Sequence, residues 1–311
     1  MTLDVRRDST ALAARTDEAL RVDAVRATRD YDHDLLATLV EAYLKEGSKK
    51  GSQGSPLTAV EYKRATRRYT LWAQGEGVTL TRPGRRTGGR YLAHLQGQQL
   101  QPATVAKLIA GARALYRALR WAGATDTNPF EDVTPPADPT PAIEKRPPYD
   151  PDVLEAVLAK CGDPYERALL LLTAHAGLRL AEALALRPRD VQRGVAVVHG
   201  KGGKRRRVPL SRRLQDTLGT LPAQVARPGF VLPYKDYWQA ARPIRLRFKQ
   251  AGYIREWRGF HGARKAAGTR LYTKVGDFTR VGLFLGHASV DTTRRYVKVE
   301  EHDVATHVLD F

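Results

Sequence analysis

Eight of the chain's 18 prolines fall within one stretch, NPFEDVTPPADPTPAIEKRPPYDP, from Asn128 to Pro151. Proline lacks an amide donor and drives the residue before it to extended backbone, so neither a helix nor a central strand is expected to run through this stretch. It reads as a linker over residues 128–150. It divides the 311 residues into two bodies, each long enough to bury a core of its own.

Charge follows the same division. Residues 61–125 hold twelve Lys and Arg against two Asp and Glu, and residues 151–311 hold 29 against 15. Over the whole chain 52 basic residues face 33 acidic ones, a formal charge of +19. That excludes an acidic disordered chain and points to a polyanion, nucleic acid before anionic membrane. The longest strongly apolar run, Ala168 to Ala176, is about half the ~20 residues of a membrane span, so no membrane attachment is expected. The first 20 residues mix acids with arginines and lack the apolar segment of a leader, which makes the cytoplasm the expected location. A single cysteine, Cys161, excludes intramolecular disulfides and multi-thiolate zinc sites, and no HExxH or CxxC accompanies the eight histidines. Neither a metal nor another cofactor is expected.

Hydrophobic periodicity assigns the two bodies to different classes. Leu35, Leu36, Leu39, Val40, Tyr43 and Leu44 recur at helical spacing, as do Val105, Leu108, Ile109, Ala112, Leu115, Tyr116 and Leu119. Residues 31–127 are therefore expected to be helical. Arg113, Arg117 and Arg120 fall on the other side of the second run, and Lys63, Arg64, Arg67 and Arg68 precede Tyr69 and Trp72. A solvated charged face is the ordinary use of such stripes. With only Glu61 and Glu76 opposing twelve cations between residues 61 and 125, these arginines and Lys63 are taken as candidate phosphate contacts. Residues 1–30 read as an extension with one candidate helix, Ala11 to Val25.

Residues 151–299 mix helix with strand. Asp163 and Pro164 read as N-cap and first residue of the apolar helix ending near Gly177, and Asp150 or Asp152 is placed to cap a helix running to Lys160. Val195–His199 and Arg205–Leu210 are β-prone runs flanking Gly200, Lys201, Gly202 and Gly203, a hairpin signal. The expected fold class is mainly α with a small antiparallel β-sheet (α+β). Residues 300–311 form a tail in which Val304, His307 and Val308 recur at helical spacing.

Four places in this body are equipped for chemistry. In AGLRLAEALAL a helix ends at Gly177 and Arg179 opens the next element. The hairpin tip GKGGKRRRVPL is no P-loop, because position 195 is Val where that motif needs Gly and Gly202 stands where Ser or Thr would hold magnesium. Its glycines let Lys201, Lys204 and Arg205 approach a phosphate closely. In FHGARKAAGTRLY, His261 and Arg264 lie three residues apart on one helix face, an acid–base group beside a cation that neutralises phosphate oxygens. In LGHASVDTTRRYVKV, His287 follows the helix-ending Gly286 and Tyr296 stands after Arg294 and Arg295. Each alone has an ordinary structural reading: a surface Arg, a basic loop, a satisfied core His, a packed Tyr.

Taken in order, Arg179, Lys201, His261 with Arg264, His287 and Tyr296 resemble the pattern of the tyrosine recombinases, of the phage-integrase or Xer type. The resemblance covers residues 150–299 by motif order and spacing, and the helical body by size and charge only. It implies a helical core-binding (SAM-like) domain over 31–127 and a catalytic domain over 151–299 that clamp duplex DNA with inverted-repeat half-sites. The protein would act as a homotetramer on DNA, monomeric when free, with a second recombinase or accessory protein as a further partner class, and would associate with the nucleoid. By the resemblance Tyr296 is the nucleophile that forms a 3′-phosphotyrosyl link, Arg179 and Arg264 clamp the nonbridging oxygens, and Lys201, preferred over Lys204 on the same hairpin, protonates the 5′ leaving oxygen. His261 serves as acid–base partner, His287 as a donor to phosphate, and Glu182 as a support behind Arg179. The third motif departs from the usual His-x-Leu-Arg-His, reading His261, Gly262, Ala263, Arg264, Lys265. Rival readings are a type IB topoisomerase, which uses the same cleavage chemistry without pairing two sites, and a non-catalytic DNA-binding protein on the same scaffold.

Overall fold

The chain divides at the proline-rich stretch into two units, Met1–Pro139 and Thr140–Phe311, in the computed structural model. The structure describes residues 8–48, 51, 56–200, 203–222, 226–287, 289–294 and 297. Lys201, Tyr296 and the tail helix expected around Val304–Val308 lie outside the described residues.

The first unit is helical: α1 (Ser9–Ala13), α2 (Asp17–Arg29), α3 (His33–Glu46), α4 (Pro56–Gly75), α5 (Thr87–Gly97) and α6 (Pro102–Trp121). The single helix expected over Ala11–Val25 is two. Thr16 breaks it, since its hydroxyl accepts from the Ala19 amide and so caps α2. Residues 9–29 belong to the unit's core, to which Leu12, Leu20, Ala24 and Ala27 contribute alongside Leu36, Leu39 and Val40 of α3. α4 and α6 cross closely at Gly111, where an added Cβ would lie 2.2 Å from Ala65 Cβ. Beside that crossing Tyr69, Tyr91, Tyr116 and Phe130 pack as buried rings at centroid separations of 5.0–6.1 Å. The Tyr69 and Tyr116 hydroxyls satisfy each other at 2.8 Å, which removes the cost of burying an unpaired phenol. Phe130 brings the start of the proline-rich stretch into this core.

The same stretch holds a single four-residue helix, α7 (Ala142–Lys145), and its end, Tyr149, is buried in the second unit. There follow α8 (Pro151–Lys160), α9 (Pro164–Ala174), α10 (Leu180–Ala185), β1 (Val191–Gln192), β2 (Val195–His199), β3 (Arg205–Pro209), α11 (Arg212–Gly219), α12 (Tyr237–Gln250), α13 (Gly259–Val275), α14 (Phe278–Leu285) and α15 (Val290–Arg294). The strands form an antiparallel sheet in the order β1-β2-β3, with Ala196 opposite Val208 and Val198 opposite Arg206. Ala196, Val198 and Val208 face inward, as the period of two requires. α9 is the central element: Ala168 to Leu172 are fully buried and α13 packs across it. Asp163 caps α9 as expected, its carboxylate accepting from the Tyr165 amide at 2.8 Å. α9 ends at Ala174, three residues before Gly177. Mainly helical with one small antiparallel sheet is thus the fold class expected. Among the described residues no helix is long and apolar enough to cross a membrane.

Candidate active site

The site is assembled where α10, β3, α13 and the end of α14 meet. Gly177 turns the chain from α9 toward α10 with φ +62°, and an added Cβ would stand 2.7 Å from Leu285, so both backbone and space demand glycine. Arg179 then takes the N-cap position of α10 and Glu182 its third residue. The carboxylate reaches back to accept from the Arg179 amide at 2.8 Å and from its Nη1 at 3.0 Å, an N-terminal acid placed where the helix dipole favours it. Glu182 is buried, and it also accepts a two-pronged pair of bonds from Arg206 on β3, at 2.9 and 2.8 Å. Arg264 Nη1 lies 3.7 Å from it. Burial alone would raise the Glu182 pKa; the Arg206 hydrogen bonds, the Arg179 amide and the charges of Arg206 and Arg264 outweigh it and hold the carboxyl down to about 2.

Arg264, 1% exposed, donates to the carbonyls of Gly177 and Leu285, the latter at 2.7 Å. One guanidinium thereby ties the turn before Arg179 to the turn before His287. One helical turn upstream, His261 is half-buried; burial pushes its imidazole down to about 4, with Lys265, Arg264, Arg146 and Arg179 adding to the effect. Lys265, 3% exposed, is pushed down to about 8 by burial and by Arg146. Gly262 has a local reason: an added Cβ would lie 2.8 Å from the ring of Tyr149. The Tyr149 hydroxyl accepts from the Arg258 amide at 2.6 Å and donates to the Gly259 carbonyl at 3.1 Å. Gly262 fills the variable position of the third motif, and the ring that keeps it small comes from the end of the linker; the departures from the usual motif are Ala263 and Lys265, both buried.

α14 closes at Gly286 in the left-handed region, φ +70°, and the His287 amide donates to the Gly282 carbonyl at 2.9 Å. His287 Nδ1 lies 3.1 Å from the hydroxyl of Thr293, which is fully buried. Burial pushes His287 down to about 4, followed by the charges of Arg264, Arg179, Arg206 and His261. Both imidazoles are neutral near pH 7 and sit within a field of guanidinium charge. A cavity of about 520 Å³ opens beside His261, walled by Arg146, Arg179, Arg258, His261 and Arg264 on its cationic side and by Tyr237, Trp257 and Phe260 on its aromatic side. Such a lining is electrostatically suited to a phosphodiester.

Of the candidate residues, Arg179, Glu182, His261, Arg264 and His287 are brought together. Lys204 and Arg205 are exposed at the hairpin. In the first unit Lys63 pairs with Glu41 at 2.6 Å, Arg64 with Glu61 at 3.1 Å and Arg67 with Asp34 at 2.7 Å, while Arg68 donates to Gln98. α3 thus supplies acids that sequence distance concealed. Arg113 donates to the carbonyls of Phe130 and Val133 at 3.0 and 2.7 Å and so anchors the chain beyond α6; Arg117 and Arg120 are exposed. Sequence reasoning passed over Arg146, Arg206 and Thr293. For Arg206 a signal existed, since in a strand it shares the inward face of Val208 two residues on.

Residues 150–302 match the sequence profile of the phage integrase family, and residues 40–123 that of the phage integrase N-terminal SAM-like domain. The tyrosine recombinase XerC of Azotobacter vinelandii is 30% identical over 230 residues, covering 68% of this chain and 74% of its own. The tyrosine recombinase XerC of Pelobacter propionicus is 29% identical over 265 residues, covering 79% and 85%. In fold the chain is similar to the Tn1549 transposon integrase in complex with transposon right end DNA, with TM-score 0.67, 15% identity and coverage of 88% and 98%. It is similar as well to the XerH site-specific recombinase bound to palindromic difH substrate, with TM-score 0.65, 17% identity and coverage of 98% and 97%.

Proposed function

The chain belongs to the tyrosine recombinase family, which cleaves and rejoins DNA, and from that premise we propose that Tyr296 is its nucleophile and that the site around Glu182 serves the reacting phosphate. The Tyr296 oxygen forms a bond to phosphorus, the bond to the 5′ oxygen breaks, and a 3′-phosphotyrosyl link and a free 5′-hydroxyl result. Lys201 gives its proton to the departing 5′ oxygen. His261, neutral near pH 7, takes the phenolic proton, and His287 donates to a nonbridging oxygen while Thr293 holds its other nitrogen. A free phenol has a pKa of ~10, so attack depends on the cations that offset the charge of the phosphodiester. Arg179 and Arg264 supply them, each such group typically worth ~3 kcal/mol in the transition state. The phosphotyrosine conserves the bond energy, so rejoining by the 5′-hydroxyl of a second strand needs no nucleotide. Four copies act on two DNA segments with inverted-repeat half-sites, through a Holliday junction, with Lys63, Arg64, Arg67, Arg68, Arg117, Arg120, Lys204 and Arg205 along the backbone. The protein works on cytoplasmic, nucleoid-associated DNA.

The observation that carries this reading is the convergence of Arg179 and Arg264 on Glu182, with two neutral imidazoles beside them. An SDS-resistant adduct assay tests it: purified protein is mixed with fragmented DNA from its own source in EDTA, and the DNA left attached is sequenced. Adducts clustered at one inverted repeat and lost in Tyr296→Phe are expected. Scattered adducts would move the assignment to a relaxing topoisomerase, and tight DNA binding with no adduct in either protein would overturn it in favour of a binding protein.

A further inference from the structure

Arg206 has no part in the chemistry proposed above, yet all three nitrogens of its guanidinium are engaged. Nη1 and Nη2 donate to the two oxygens of Glu182 at 2.9 and 2.8 Å, and Nε donates to the Phe284 carbonyl at 3.1 Å. The side chain is 13% exposed and lies along the backbone of Gly286. There an added Cβ would stand 2.8 to 3.0 Å from Arg206 Cδ, Nε and Nη1. A residue of the sheet thus grips both the acid behind Arg179 and the turn that ends in His287.

The charge balance gives this grip a purpose. One buried carboxylate faces three guanidinium groups, and two of them, Arg179 and Arg264, are assigned to the phosphate. Whatever attraction Glu182 spends on those two is lost to the substrate. Arg206 meets the carboxylate in the planar fork that makes the strongest such pair. Arg179 is left with one side-chain contact and remains 43% exposed, and Arg264 stands 3.7 Å away. We infer that Arg206 is a positioning residue: by occupying Glu182 and fixing the His287 turn, it leaves Arg179 and Arg264 directed at the scissile phosphate. The inference rests on the reading of those two arginines as the phosphate clamp. Without Arg206 the carboxylate turns to Arg179 and Arg264, and the clamp is drawn back from the DNA.

The test uses the full-length protein and a nicked synthetic duplex carrying the site recovered in the adduct assay, with either a natural phosphate or a neutral methylphosphonate at the scissile position. Arg206→Gln is expected to slow single-turnover cleavage about a hundredfold while duplex affinity stays within about threefold. On the methylphosphonate, which has one fewer charged oxygen to clamp, the defect shrinks to less than about tenfold, in parallel with that of Arg179→Ala. If the Arg179→Ala defect shrinks and the Arg206→Gln defect does not, Arg206 is only a strut and the inference fails. If neither shrinks, the clamp reading fails first. Since Arg206→Gln removes the two-pronged partner of a buried carboxylate, Glu182→Gln/Arg206→Gln is measured alongside it. The pair is expected to cleave faster than Arg206→Gln alone, and a pair that is equally slow or slower overturns the route through Glu182.

Discussion

The two units carry the same kind of charge in opposite ways. In the helical unit Lys63, Arg64 and Arg67 are paired at its surface with Glu41, Glu61 and Asp34, around a core of rings such as Tyr69, Tyr91 and Tyr116, and the buried Asp23 is met by Arg15 and Arg26 away from those rings. In the catalytic unit Arg264 and Lys265 are buried with Glu182, and carbonyls and carboxylate oxygens fix the guanidinium groups. Exposed cations attract a polyanion whatever their exact placement, because the attraction is summed over many screened charges. A buried cation is costly to desolvate and must be held at defined distances, and that same rigidity lets it act on one phosphate. On the function proposed, one composition serves recruitment in the first unit and chemistry in the second.

Substitutions can break this comparison, and the largest effect is expected at Arg264. Arg264→Ala removes one member of a buried ion cluster, so urea unfolding of the catalytic unit should show a loss of about 3–5 kcal/mol. Arg67→Ala in the helical unit should cost about a tenth of that. Equal losses would abolish the distinction between the units.

Acid supplies the next test. Glu182 has a folded pKa of about 2 against an ordinary 4.5, so its contribution is complete above 4.5 and disappears as pH falls toward 2. The difference is on the order of 3 kcal/mol, and Glu182→Gln should flatten the stability profile in that window. His175, His261 and His287, each pushed down to about 4 chiefly by burial, act at higher pH. They are buried neutral, so stability is intact above their ordinary 6.5 and lost as pH falls through 4. Imidazole titrations followed by NMR should give values near 4 in the free protein and higher values once DNA phosphate is bound.

Two glycines sharpen the comparison at intermediate size. Gly111→Ala, against Ala65, and Gly262→Ala, against Tyr149, each overpack a helix contact and should each cost about 1–3 kcal/mol in thermal unfolding. Only Gly262→Ala should alter cleavage, because Tyr149 also holds the Arg258 amide at the cavity wall. The smallest effect is expected at Arg117, exposed on α6. Arg117→Ala should leave stability within about 0.5 kcal/mol and lower the slope of log affinity against log salt by about one.

Much of this was legible locally. The hairpin was marked by two β-prone runs around glycines, and α9 by Asp163 and Pro164 at its start. Arg179, His261 and His287 were marked by order and spacing. The break between α1 and α2 was missed because a helical period continues through Thr16, and only its capping bond shows where the chain turns. Arg113 looked like one of three equivalent stripe residues, and the return of Phe130 and Val133 to its side made it an anchor. The run Arg205, Arg206, Arg207 was placed at the start of the second hairpin strand, but only Arg205 was taken up as a candidate, whereas strand alternation sends the middle residue inward.

The sequence by itself determined the division into two bodies, the basic character of each, the mainly helical class and the order of the groups that could meet a phosphate. These are properties of local backbone preference, of periodicity and of summed charge, and none requires distant residues to touch. Only the tertiary structure decided which cations are spent on protein and which remain for DNA. Glu182 draws its partners from the start of α10, from β3 and from α13, and hydrogen bonds between segments up to 87 residues apart leave no trace in spacing.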